Sequence, residues 1–239
     1  PMILASESAP SKVILSGKYE IVQRSRLGSL GVLYEGIDRS RGQPVAILKL
    51  REELKLDAAG KSLFIERARR AMTLHHPRVL SLLDVLENAG NIYTVSAPAA
   101  ADTLNVLLEE RSRLGLEECR GLLRGVSEAL KYAHQEGVAH GDINPDCLHV
   151  DGAGDVKLAD FVVARLIKEA DARFRGVESP AAAYAAPERR LGELVAGEDF
   201  YALGVTLYLA LTGNLPFPGP DFLAQKREMM YADPSQIIP

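Results

Sequence analysis

With 239 residues, 47% of them hydrophobic and 25% charged, the chain is long enough for one large domain or for two lobes around a shared cleft. Its 28 basic and 32 acidic side chains leave a net charge of −4, which argues against nucleic acid or anionic lipid as the partner. Two cysteines, Cys119 and Cys147, make no disulfide framework and fit a reducing, cytoplasmic setting, while the longest apolar run, 200 to 211, falls short of the roughly 20 residues that cross a bilayer.

Residues 1 to 16 lack sustained periodicity and carry a Ser/Pro patch, so they read as a leader. The chain opens with Pro1 rather than methionine, and one expectation is a cytosolic piece of a larger or membrane-anchored protein. Strands dominate from 17 to 97. "KYEIVQRSRL", "GVLYEGIDRS" and "QPVAILKL" are short and rich in Val, Ile and Tyr, with a turn at "DRSRGQ". A helix follows over 58 to 76, its stripe formed by Phe64, Ala68, Ala71, Met72 and His75 and its end set by Pro77. Residues 79 to 98 read as a hairpin turning at "ENAGN".

From 98 to 239 the pattern becomes helical. Residues 116 to 137 form a long amphipathic helix closed by Gly137, "VKLADFVVARL" is a strand entering a loop, and 199 to 212 is a buried helix. A small strand-rich lobe thus precedes a larger helical one. The joint, "SAPAAAD", is where a ligand cleft is expected.

Five stretches carry a family likeness: "HHPRVLSLLDV" at 75 to 85, "VAHGDINPDCLHV" at 138 to 150, "LADF" at 158 to 161, "AAPE" at 185 to 188 and "EDFYALGVTLYLALTGNLPFPG" at 198 to 219. In that order, over some 220 residues, they resemble Hanks-type protein kinases of the bacterial serine/threonine kind. The resemblance implies an α+β, two-lobed protein-kinase-like fold, with a strand-rich N-lobe over 17 to 97 holding one main helix, and a mostly helical C-lobe over 98 to 239. It also implies further helices beyond the one near 221 to 231, one of them bringing an arginine to Glu188, so the C-lobe reads as incomplete.

Phosphoryl transfer is mostly positioning and charge neutralisation. By the resemblance, Asp142 is the general base or its relic, and Asp160 is the main magnesium ligand. The neighbours depart from the family. Asn144 stands for the lysine that meets the transferring phosphate, Gly141 for an arginine, and Val162 for the glycine of D-F-G. Cys147 stands for the asparagine that holds a second metal, and a soft thiol suits magnesium poorly. His149 stands for the apolar floor under adenine. Gly28 and Gly31 remain of a glycine-rich loop that is two residues short, with Leu33 as its roof. Ser96 falls at the gatekeeper, and Ala97 and Ala99 keep the hinge groups that adenine uses, while Pro98 removes a donor between them.

Strand parity bears on the phosphate-binding lysine. If Ala46 faces the cleft then Leu48 does too, and Lys49 faces away unless a bulge re-aims it. The lysine's glutamate partner on the helix falls at Arg67, with Glu66 turned off the stripe. His140 and Phe161 are expected in the core, and Asp199 on the backbone of the 140s loop. Ser179 is the sole Ser or Thr between Asp160 and Glu188, hence the one such phosphorylation candidate there.

The favoured expectation is a catalytically impaired domain, a pseudokinase that needs no cofactor and binds ATP weakly at most, with or without magnesium. Its partner would be a protein: a true kinase, a phosphopeptide reader or other domains of the same chain. The alternative is an active ATP-dependent serine/threonine kinase, with a small-molecule phosphotransferase of the aminoglycoside and choline kinase type third. A zinc site from Cys147, His149 and Asp160 is a further alternative.

Overall fold

The computed structural model describes residues 13–27, 30–51, 58–161, 180–188 and 196–238. Gly28, Val162 and Ser179 lie outside them.

The N-lobe is one antiparallel sheet with a helix on it. Its strands are β1 (Ile14–Leu15), β2 (Tyr19–Leu27), β3 (Gly31–Asp38), β4 (Gln43–Leu50), β5 (Leu82–Asn88) and β6 (Asn91–Ser96), in the order β1-β2-β3-β4-β6-β5. Alternation along β4 sorts its side chains. Val45 and Ile47 join Leu15, Tyr19, Tyr93 and Val95 in a cluster on one face, while Leu48 and Leu50 join Phe64, Ala68 and Ile92 on the other. Helix α1 (Ala58–Ala71) presents Phe64 and Ala68 to that second face, while Ala71 at its end joins the core of the other lobe. Burying a ring such as Phe64 contributes on the order of 2–3 kcal/mol. The sheet curls far enough for the Tyr19 hydroxyl, on β2, to donate to Asp84 on β5 at 2.8 Å.

Two expectations need correction. The leader expected over 1 to 16 overlaps the sheet at its end, because Ile14 and Leu15 pair with Glu20 and Tyr19 and Leu15 is fully buried. The helix stops at Ala71 rather than near 76, which leaves His75 exposed and buries Leu74 instead. The hairpin turn, by contrast, sits at Ala89 and Gly90, within "ENAGN".

In the C-lobe, β7 (Asp102–Thr103), β8 (Leu148–Val150) and β9 (Val156–Leu158) make a small sheet beside α2 (Leu104–Arg111) and α3 (Leu116–Gln135). Helix α3 begins where the Glu118 side chain returns to Gly115 N at 2.8 Å, and it ends before Gly137, whose φ of 73° suits glycine. Its stripe of Cys119, Leu122, Val126, Ala129, Leu130 and Ala133 packs on α4 (Ala196–Thr212), which is apolar almost all round. Short helices α5 (Phe222–Arg227) and α6 (Pro234–Ile237) follow. Among the described residues no helix is long and apolar enough to cross a membrane.

The lobes are joined behind the cleft by main chain as well as by the hinge. Leu80 N donates to Leu158 O at 2.9 Å, Leu158 N donates to Arg78 O at 2.8 Å, and Arg78 reaches Asp155 at 2.6 Å.

Both cysteines are buried, Cys119 at 6% exposure and Cys147 at 1%. Burial pushes the Cys119 thiol up to about 11, so little thiolate forms near neutrality. Neither thiol is therefore expected to react with a disulfide reagent at pH 8 in the folded protein, and both should react in denaturant. A fast native phase in the absorbance trace would contradict this burial.

Candidate functional site: the interlobe cleft and its loop

A cleft of about 930 Å³ lies between the lobes. Its roof and back come from β3 and β4, its hinge side from the end of β6 and the residues after it, and its floor from β8 and the segment after β9. Gly31, Leu33, Ala46, Leu48, Ser96, Ala97, Ala99, His149 and Asp160 all line it.

The back wall is decided by strand pairing. Along β4, Ala46 pairs with Glu35 and Ser96, Leu48 with Leu33 and Thr94, and Lys49 with Val32 and Tyr93, without a break. No bulge interrupts residues 43 to 50, so Ala46 and Leu48 share the cleft face. Lys49 has the parity of Val45 and Ile47 and is not among the lining residues. On α1 the Arg67 side chain is half-buried and Glu66 is exposed.

Gly31 has a packing reason to lack a side chain, whatever else it does. At φ 154°, a Cβ there would stand 2.0 Å from Lys49 O.

The loop below the cleft is held by its own hydrogen bonds. The Asp199 carboxylate, 1% exposed on α4, accepts from His140 N at 2.8 Å and Gly141 N at 2.7 Å, and it pairs with His134 Nε2 at 2.8 Å. Fully buried His140 sets Nε2 2.7 Å from Ala159 O and tilts its ring against Phe161, 4.8 Å between centroids. These are the core and anchoring places expected for His140, Phe161 and Asp199. Asp142 is only 6% exposed and does not line the cleft. Asn144 Nδ2 donates to its carbonyl at 2.8 Å and to its carboxylate at 3.2 Å. Asn144 closes over Asp142 because its own Oδ1 caps the turn at Pro145–Cys147, accepting from Asp146 N at 2.9 Å.

Cys147 is built into the same turn. Its thiol donates to Asn144 O at 3.0 Å. His149 uses its other edge, with Nδ1 3.3 Å from Ala101 O. The zinc expectation assumed an extended 147 to 149, whereas a 3-10 turn ends at Cys147 and rotates the sulfur onto the loop. Among the described residues no three His, Cys, Asp or Glu side chains converge as a metal site, so the zinc alternative is withdrawn. Asp160 lines the cleft with φ 61°, a left-handed conformation that Asp tolerates better than most residues.

Sequence reasoning missed Lys226. Buried at 6% exposure on α5, it donates to Ala182 O and, at 2.7 Å, to Ala185 O in the segment before Glu188. No local pattern announces this, since the carbonyls lie 44 and 41 residues away. Nearby, burial and the acids Asp146 and Asp142, with Cys147, push the Tyr184 phenol well above its usual range.

Residues 20–236 match the profile of the protein kinase domain. Serine/threonine-protein kinase PknA of Mycobacterium tuberculosis is 30% identical over 233 residues, which are 95% of this chain and 54% of that protein. Serine/threonine-protein kinase dkf-2 of Caenorhabditis briggsae is 33% identical over 224 residues, 89% of this chain and 18% of that protein. The chain thus spans about half of PknA and less of dkf-2. Among solved structures, Rad53 1–466 in complex with AMP-PNP superposes with a TM-score of 0.72 at 24% identity, over 92% of this chain and 56% of that one, a likeness of fold.

Proposed function

We propose, from the premise that the chain belongs to the protein kinase domain family, that its phosphoryl-transfer machinery is impaired and that it works as a regulatory, protein-binding module. One observation carries the reading: the unbroken pairing of β4, which turns Leu48 to the cleft at the lysine's place. Phosphate oxygens in that position meet hydrocarbon instead of an ammonium group.

Other residues support it. Arg67 stands where the lysine's carboxylate partner belongs, and an arginine there suits the absence of a lysine. Magnesium prefers hard oxygen ligands, and the position five residues after Asp142 offers a thiol, already committed to Asn144 O in the loop. The donor set therefore fits magnesium poorly, and no step is routed through it. A protein partner is supported by the segment at 180–188, which Lys226 holds in a set shape against α5.

The matched relatives favour the second reading, an active ATP-dependent serine/threonine protein kinase, since they carry that name. Asp142 and Asp160 are retained in its favour. In that case Asp142 takes the substrate hydroxyl's proton, after Asn144 releases its carboxylate.

Thermal melting with and without ATP and magnesium tests the pair. A ligand at 100 times its Kd adds about 2.7 kcal/mol, or roughly 5–10 °C for a domain of this size. We expect a shift near zero at millimolar ATP and no transfer of labelled phosphate to protein. Transfer that vanishes in Asp142→Asn would establish the active kinase instead.

A further inference from the structure

A buried charge outside the cleft ties three elements of the C-lobe together. Lys226, on α5 and 6% exposed, sends its ammonium group to the carbonyl oxygens of Ala182 and Ala185, at the end of the 3-10 turn Pro180–Ala183. It also lies over two rings, 5.8 Å from the Tyr201 centroid on α4 and 5.9 Å from that of Phe222 on α5. An ammonium group taken out of water is costly unless its donors are used. The main chain at 182 to 185 is therefore held where this charge needs it.

Tyr184 stands between those two carbonyls. Its side chain packs against the C-lobe core, in the cluster that holds Ile143, Cys147 and Phe161. There the phenol is close enough to feel the ionisable groups of Asp146, Cys147 and Asp142. Asp199 fixes the start of the 140s loop at His140 and Gly141, and Tyr184 stands beside the remainder. The segment is thus clamped on both sides, its carbonyls by Lys226 and its ring by the loop.

We propose that Lys226 is a latch, a positioning residue that acts through Ala182, Tyr184 and Ala185 on the loop of Asp142 and Cys147. Drawing α5 away from the segment opens that loop while the rest of the lobe stays folded. The latch works the same way in an impaired domain and in an active one. In either case a protein that takes hold of α5 reaches the 140s loop without entering the cleft.

Cys147 is the reporter, because it lies in that loop at 1% exposure, whereas Cys119 lies on α3 at 6%. Lys226→Met keeps an apolar stem and removes every donor, and Lys226→Arg restores a cation with donors. Each is made in Cys119→Ser and Cys147→Ser backgrounds and treated with a disulfide reagent at pH 8. In Lys226→Met the Cys147 thiol should react roughly tenfold faster than in the parent, Cys119 should keep its parent rate, and Lys226→Arg should recover much of the protection. An unchanged Cys147 rate overturns the proposal. So does equal acceleration of both thiols, which marks a general loss of stability rather than a local opening.

Native-state hydrogen exchange on the parent decides the matter even where a variant does not fold. The amides of Ala185 and Cys147, bonded to Ala182 O at 3.3 Å and Asn144 O at 3.2 Å, should open in one event, at lower denaturant than α3. Independent opening of the two amides would sink the latch.

Discussion

Replacing Asp199 with alanine will destabilise the domain by about 3–5 kcal/mol, the range for removing one partner of a buried charged network. The side chain is 1% exposed and receives His140 N, Gly141 N and His134 Nε2. Without it, two main-chain N–H groups and an imidazole lose their acceptor where water has little access, and each orphaned donor costs about 1–3 kcal/mol. Asp199→Asn keeps one oxygen and should fall between the variant and the parent. Denaturant unfolding gives the free energies, and hydrogen exchange at residues 140 and 141 should quicken before the rest of the lobe. A loss below about 1 kcal/mol for the alanine variant would mean that the loop is held by something else.

Gly31→Ala is the second large effect, on the order of 3 kcal/mol, from overpacking against backbone combined with a disfavoured φ. The added Cβ would meet Lys49 O at 2.0 Å and Leu50 Cα at 3.1 Å, and main chain in a paired strand cannot yield as a side-chain tip does. Strands β3 and β4 would have to part at the cleft roof. Gly121→Ala on α3 is the control, because a Cβ there meets nothing within 4 Å and the backbone is helical. It should raise stability by about 0.5–1 kcal/mol. Equal effects from the two substitutions would remove the steric argument.

What the sequence disclosed and what it concealed divide by range. Helix α3 and the hairpin at 82 to 96 were legible because their patterns repeat over many residues and end in glycine-bearing turns. The parity of β4 was legible for the same reason, since a strand without a bulge leaves no freedom in which face each residue takes. The fate of Leu15 was hidden, as a two-residue strand is too short to show a period and gains its burial from Tyr19 and Val45. Lys226 was hidden because its acceptors are distant in sequence. Cys147 and His149 misled through an assumed extended backbone, where Pro145 starts a turn. The closure of Asn144 over Asp142 needed the cap geometry of that turn, which residue types alone do not specify.

The paired amides of Arg78, Leu80 and Leu158 act like the stitching along the spine of a book. Two covers sewn that way resist sliding along the spine, and Asp102, which stands in the same small sheet as Leu158, belongs to the lower cover.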